Sequence, residues 1–144
     1  MNRQQQELAK ILKKFDQFCL KYEIDYYLCG GSALGAIRHN GFLPWDDDVD
    51  LDITRSNYQK LQEYSDKLEQ ETNLVVVDSS RYPHYSNTLV RIVEKENTMI
   101  FQHRMVDKTP KGYFIELFIM DPIPRDLDQK KVWLKKHWVY TELH

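Results

Sequence analysis

Long apolar runs are absent from this 144-residue chain, and with them any segment able to span a bilayer as a helix. The N-terminus, MNRQQQELAKILKKF, lacks the apolar stretch that a secretory signal carries. Cysteine is scarce. Cys19 and Cys29 lie in apolar surroundings without metal-ligand spacing, and they read as two buried free thiols. Neither sign of charge dominates: 20 Lys and Arg stand against 22 Asp and Glu, a net charge of -2. With a pI near 6.2, nothing marks a general nucleic-acid binder, and no nucleic acid is expected as a partner. No repeat, low-complexity tract or interdomain linker interrupts the chain. What is present is 42% hydrophobic and 29% charged residues, an ordinary globular composition in a chain long enough to bury one core as a single domain over 1–144. The expected location is the cytoplasm.

The most informative stretch is GGSALGAIRHNGFLPWDDDVDLDI, from Gly30 to Ile53. Asp48, Asp50 and Asp52 alternate with Val49, Leu51 and Ile53, the period of a strand with one apolar face. The three carboxylates then share the other face, neighbours about 6.5–7 Å apart. Aspartate is disfavoured in strands and like charges on one face repel, so a positive group is expected there; a hard divalent cation with oxygen ligands suits it. The competing reading of an acidic run is a solvated surface, but interleaved Val, Leu and Ile argue for a strand packed on a core. A calcium loop counted from Asp46 would need Gly and Glu where Leu51 and Asn57 stand, which excludes it.

Apolar residues from Gln4 to Tyr22 (Leu8, Ile11, Leu12, Phe15, Phe18, Cys19, Tyr22) recur at helical spacing. Tyr26 to Cys29 reads as a buried strand ended by Gly30-Gly31. Glycines at a strand-to-helix turn let a phosphate approach backbone N–H groups at a helix N-terminus, and Ser32 is expected to cap that helix or offer its hydroxyl to the phosphate. Arg38 and His39 close the helix; Arg38 reads equally as a helix-end charge and as a phosphate ligand. Trp45 reads as a stacking platform or as a packed loop anchor. One helix is expected from Thr54-Arg55-Ser56 to Gln70, and a strand at Leu74–Val77. A loop follows over 78–85, whose Tyr82, His84 and Tyr85 suit either an ordinary surface or an aromatic lining for a cationic group.

Two strands are expected at Thr88–Val93 and Thr98–Phe101 around a Lys95-Glu96-Asn97 turn, with Arg91 pointing away from the apolar side. A polar connection, 103–112, leads to Tyr113–Met120, apolar on both faces apart from Glu116. A carboxylate there is costly unless it is paired or binds metal. Pairing with Arg91 or Arg38 is the alternative to a ligand role. Asp121 reads as a turn-former before Pro122. From Asp126 onward a helical rhythm carries Trp133 and Trp138 among lysines, expected to pack on the core, with a membrane-surface helix as the other reading.

GGSALGAIRHNGFLPWDDDVDLDI also resembles the signature of the LicD family of phosphotransferases, related to fukutin, within the nucleotidyltransferase-fold superfamily. Gly31-Ser32 and Asp48-Val49-Asp50 match that superfamily's pattern of a Gly-Gly/Ser turn, a short helix and two carboxylates around a hydrophobic residue. The resemblance implies an α/β (α+β) fold with a small mixed sheet and helices packed mainly on one side. It implies Asp48, Asp50 and Glu116 as catalytic residues and ligands of one or two Mg2+ ions, although the family more often has Asp at the third position. Gly30, Gly31, Ser32, Arg38, Arg91 and Trp45 would bind substrate. The implied reaction moves a phospho-alcohol such as phosphocholine from a CDP-linked donor (CDP-choline or similar) to a hydroxyl of a cell-surface glycan or teichoic-acid-like acceptor. It would run in the cytoplasm or peripherally at the inner membrane surface. Two alternatives stand beside it: an NTP-dependent nucleotidyltransferase releasing pyrophosphate, and a non-catalytic metal- or nucleotide-binding module. Members of the family usually continue beyond the point where this chain stops, so either a C-terminally truncated catalytic core or a short relative is the expectation.

Overall fold

A computed structural model describes residues 1–85, 89–96 and 109–142, with side chains through residue 135. Helix α1 (Arg3–Lys21) starts at a capping box: the Gln5 N–H donates to Asn2 Oδ1 and the Asn2 N–H to Gln5 Oε1. Its buried stripe is Leu8, Ile11, Phe15, Phe18 and Cys19, as the helical spacing predicts. Strand β1 (Tyr26–Leu28) leads directly into α2 (Gly30–His39), and β2 (Asp50–Thr54) follows. Then come α3 (Arg55–Glu63), α4 (Ser65–Thr72), β3 (Leu74–Val77), β4 (Val90–Glu94), β5 (Phe114–Met120) and α5 (Leu127–Glu142).

The strands form one mixed sheet in the order β1-β2-β5-β4-β3, in which β2 and β5 run parallel and the other neighbours antiparallel. The two faces of this sheet are chemically distinct. Leu51, Ile53, Leu74, Val76, Val90, Ile92, Ile115 and Leu117 project to one side and meet the stripes of α1, α3 and α4 in the main core. The other side carries a polar row across three strands, in which Asp50 faces Glu116 and Glu116 faces Arg91. Beyond that row Val75, Val77, Val93 and Tyr85 form a smaller buried cluster with Tyr82 and Phe114 against them. The α/β architecture with helices mainly on one side therefore holds.

Several local expectations need correction. β1 is an edge strand, and Tyr27 and Leu28 are exposed rather than buried. Only Tyr26 is packed, stacked on Phe15 with its hydroxyl donating to Asp16. The helix expected to run to Gln70 is split at Tyr64, where the ring of Tyr64 stacks on Tyr22. Thr54 caps α3 through its side chain, as its residue type suggests. Tyr85 is neither surface nor a lining for a cationic group: it is buried, and its hydroxyl donates to the Leu89 carbonyl. Asp121 is held by Arg55 through two hydrogen bonds, and no hydrogen-bonded turn forms over 121–124. In α5, Leu127, Val132 and Leu134 are exposed while Trp133 is half-buried; Trp138 lies outside the described side chains. The expected Thr98–Phe101 strand, Thr88, Asn97 and residues 103–108 lie outside the described residues. Among the described residues no helix is long and apolar enough to cross a membrane.

Phe15 is fully buried where α1 crosses the sheet. Phe15→Ala should cost about 3–5 kcal/mol, read as a lowered urea midpoint with little change in the slope of the unfolding transition.

Candidate active site

The site grows from β2. Val49, Leu51 and Ile53 are buried against the helices, which turns Asp48, Asp50 and Asp52 to the opposite side, as the alternation predicts. Parallel pairing then sets Asp50 beside Glu116 on β5, and the Glu116 N–H donates to the Val49 carbonyl at 2.9 Å. Two separate chain segments thus bring carboxylates together at the middle of the sheet. The Arg91 guanidinium stands on the far side of Glu116, donating from Nε at 2.9 Å and Nη2 at 2.7 Å to Oε1, while it stacks on Phe114. Glu116 is therefore paired with Arg91 and adjacent to Asp50 at the same time. Of the two roles considered for it, this geometry shows the pairing with Arg91.

The glycine turn does more than bend the chain. Gly30 begins α2 at φ +51°, in the left-handed region that glycine enters without cost. A side chain at Gly30 would put Cβ 3.0 Å from Asp50 Oδ2, and one at Gly31 would put it 2.7 Å from Asp46 Oδ2. The two glycines open space for two carboxylates at the positive end of α2. Ser32 is not the cap expected of it. Cys29 is the N-cap, without a side-chain hydrogen bond, and Ser32 Oγ accepts from the Asp50 N–H at 3.0 Å. That bond ties α2 to β2 and leaves the hydroxyl proton of Ser32 able to donate elsewhere.

Arg38 is exposed in the last turn of α2 and makes no hydrogen bond or ion pair among the described residues. Trp45 is 75% exposed, so the packed-anchor reading fails and its ring is open to a ligand. A cleft of about 360 Å³ adjoins the carboxylates, lined by Gln4, Leu8, Asp47, Asp48, Tyr113, Phe114 and Glu116.

Electrostatics follow from this crowding. Burial first, then the negative charges of Asp50, Asp46, Asp47 and Glu116, push the Asp48 carboxyl up to about 6. Asp50 is also raised, by burial and then by Glu116, Asp46 and Asp52. Burial and the neighbouring Asp52 raise the Cys29 thiol to about 12, so it stays protonated and is no nucleophile. Asp46 Oδ2 is buried with no hydrogen-bond donor among the described residues, an orphan that a polar interior rarely tolerates.

Raised carboxyl groups, an undonated buried oxygen and hard oxygen chemistry fit a divalent cation held by Asp48 and Asp50. In this arrangement, though, no three acidic, imidazole or thiol groups among the described residues are gathered at metal-ligand spacing, and Glu116 is turned to Arg91. Asp46 was not singled out from the sequence. Its position in phase with Asp48, Asp50 and Asp52 was the available signal, masked by the Pro44-Trp45 turn before it.

A family model described as "LicD/FKTN/FKRP, nucleotidyltransferase domain" matches residues 23–142. The lipopolysaccharide cholinephosphotransferase LicD of Haemophilus influenzae is 33% identical over 95% of this chain and 50% of its own length. An uncharacterized protein of Rickettsia prowazekii is 31% identical over 76% of this chain and 42% of its own. The human ribitol 5-phosphate transferase FKRP is 60% identical over 30 residues, 21% of this chain and 6% of that protein. The chain spans about half the length, or less, of these curated relatives.

Because Asp48 is easier to protonate in the folded chain than unfolded, its contribution favours the fold at low pH. That contribution is complete below about pH 4, the ordinary carboxyl value, and is lost as pH rises through about 6. With a chelator present, the melting temperature of Asp48→Asn relative to wild type should therefore climb between pH 4 and 7. Gly31→Ala should lower stability by about 1–3 kcal/mol, and Asp46→Ala in the same chain should restore much of it, as a double-mutant cycle would show.

Proposed function

This chain belongs to the LicD/FKTN/FKRP nucleotidyltransferase-domain family, and on that premise we propose that it transfers a phosphoryl-linked alcohol from an activated donor to a hydroxyl of a glycan. The observation that carries the reading is the pairing of Asp50 with Glu116 across β2 and β5, beside the glycine start of α2. Donor and acceptor classes come from relatives: one is named for cholinephosphate transfer to lipopolysaccharide, another for ribitol 5-phosphate transfer. A CDP-linked donor such as CDP-choline, with CMP leaving, is the specific form proposed.

Asp48 and Asp50 would hold Mg2+, with Glu116 joining them once it turns from Arg91. A bound divalent ion offsets charge on the transferred group's oxygens and favours in-line displacement. The residues themselves do the rest. Ser32 Oγ, its own proton uncommitted, and the first-turn N–H groups of α2 offer donors to a donor phosphate. Arg38, exposed and unpaired among the described residues, stands at the other end of α2 and would meet a more distant part of the donor; Arg91 pairs with Glu116 while no ion is bound and would be released to a phosphate when Glu116 turns to the ion.

The acceptor oxygen forms the new bond to phosphorus as the bond to the CMP oxygen breaks, and the hydroxyl proton passes to a carboxylate. Asp50 suits that proton better than Glu116, because among the described residues Asp50 has no donor to its side chain while Glu116 Oε1 already accepts two from Arg91. Trp45, exposed ahead of the acidic run, would stack on the base or head group of the donor. The cleft beside Asp48 and Tyr113 is the space proposed for the acceptor end.

Incubation with Mg2+ and either CDP-choline or CTP, followed by product analysis, tests the reading. CMP formation dependent on a glycan acceptor is the expected result, and pyrophosphate release from CTP would instead mark nucleotidyl transfer. Asp50→Asn should reduce turnover by at least about a thousandfold, on the scale of losing both an ion ligand and a base. Its melting temperature should stay level or rise, since a crowded charge is removed.

A further inference from the structure

The acidic run depends on two side chains that the functional reading has not used. Leu43, Pro44, Trp45 and Asp46 form a turn closed by the Asp46 N–H donating to the Leu43 carbonyl at 3.1 Å, with proline at the second position, where its fixed φ belongs. Gln5, on the first turn of α1, donates from Nε2 to both ends of that turn: to Leu43 O at 3.0 Å and to Asp46 O at 2.8 Å. Its other amide atom, Oε1, accepts from the Asn2 N–H in the capping box, so the amide plane is held on both sides. Gln5 is only 3% exposed, a buried polar group with its donors and its acceptor engaged. Gln4 repeats the arrangement one residue along, donating to the Asp47 carbonyl at 2.7 Å. The turn they grip leads straight into Asp48 and holds the undonated Asp46 Oδ2 against Gly31. Both glutamines precede residue 23, where the family match begins.

We propose that Gln5, assisted by Gln4, is a positioning residue: it fixes the 43–47 backbone so that Asp48, which follows directly, stands in place beside Asp50 for the divalent ion of the reaction, with Asp46 held against Gly31. The claim rests on the phosphoryl-transfer reading for its purpose, but its geometry can be tested without it. A neutral amide suits this task because it grips two carbonyls without adding charge to a site that already repels itself. A lysine would neutralise the site, and a glutamate would lose both donors while keeping the length and the acceptor of the capping box.

Gln5→Glu and Gln5→Met separate those elements. In hydrogen exchange followed residue by residue, the Asp46 amide should exchange about tenfold or more faster in both variants, as loss of two hydrogen bonds implies. Amides of α3 and α4 should keep wild-type rates. Mn2+ titration read by electron paramagnetic resonance should show binding weakened at least about fivefold, and with CDP-choline kcat should fall while KM stays within about twofold. Asn2→Ala, which removes the cap on the Gln5 backbone N–H but leaves the residue-2 N–H to hold Oε1, should show little or no acceleration at the same position. Wild-type exchange at Asp46 in Gln5→Glu overturns the proposal. So does acceleration spread evenly through α3 and α4, since that would make Gln5 merely a part of global stability. A wild-type chain without turnover or Mn2+ binding would sink the phosphoryl-transfer reading instead, and the exchange rates would still decide the role of Gln5.

Discussion

Repulsion among carboxylates is the constraint under which the rest of this molecule is arranged. Asp50, Asp52 and Glu116 share one side of two parallel strands, and Asp46 and Asp48 close on them from the segment that leads into β2. Nothing forces a protein to crowd negative charge in this way, and burial first, then that crowding, raises the Asp48 and Asp50 carboxyl groups. Such crowding is stable only because neighbouring structure over-determines it. The buried Val49, Leu51 and Ile53 anchor β2 from behind, so the carboxylates cannot rotate away without exposing the core. Arg91 relieves part of the tension through Glu116, and the positive end of α2 faces Asp50.

The two faces of the sheet divide the labour. One face, covered by α1, α3 and α4, supplies the apolar burial that drives folding. The other is left partly open and carries the polar row Asp50, Glu116, Arg91, bordered by the small cluster around Tyr85. Because consecutive side chains on a strand alternate sides, every residue that fixes the core also fixes a neighbour that faces the site. Rigidity of the reactive groups is thus inherited from the hydrophobic core, and chemistry built on strands is more closely placed than chemistry built on loops. α1 joins the two functions: its stripe packs on the core, while its first turn grips the loop that delivers Asp46 and Asp48.

Local chemistry made part of this legible in the chain. The alternation from Asp48 to Ile53 has one reading once a strand is assumed, and its burial pattern holds throughout, although β2 itself begins only at Asp50. The lone Glu116 in an apolar strand announced that a partner must exist, though not which one. Other residues misled because their environment is not local. Ser32 has the type of a helix cap, yet the helix starts two residues earlier, and its hydroxyl serves the Asp50 backbone instead. Trp45 suggested an anchor, but the turn that carries it is held by Gln5 through backbone carbonyls, which frees the ring to face solvent. Tyr85 looked like surface because Ser and Pro surround it, whereas Val75, Val77 and Val93 bury it from across the sheet.

Period and residue type alone therefore determined the elements that rest on neighbours within a few positions: the apolar stripe of α1, the two-sided character of β2, and the glycine bend that opens α2. The pairing of Asp50 with Glu116, the commitment of Glu116 to Arg91 and the grip of Gln5 on residues 43–46 were decided by tertiary structure. Each joins groups 25 to 66 positions apart, or about forty in the case of Gln5. Strand order and register set those meetings, and they are properties of how the whole chain closes on its core rather than of any segment within it.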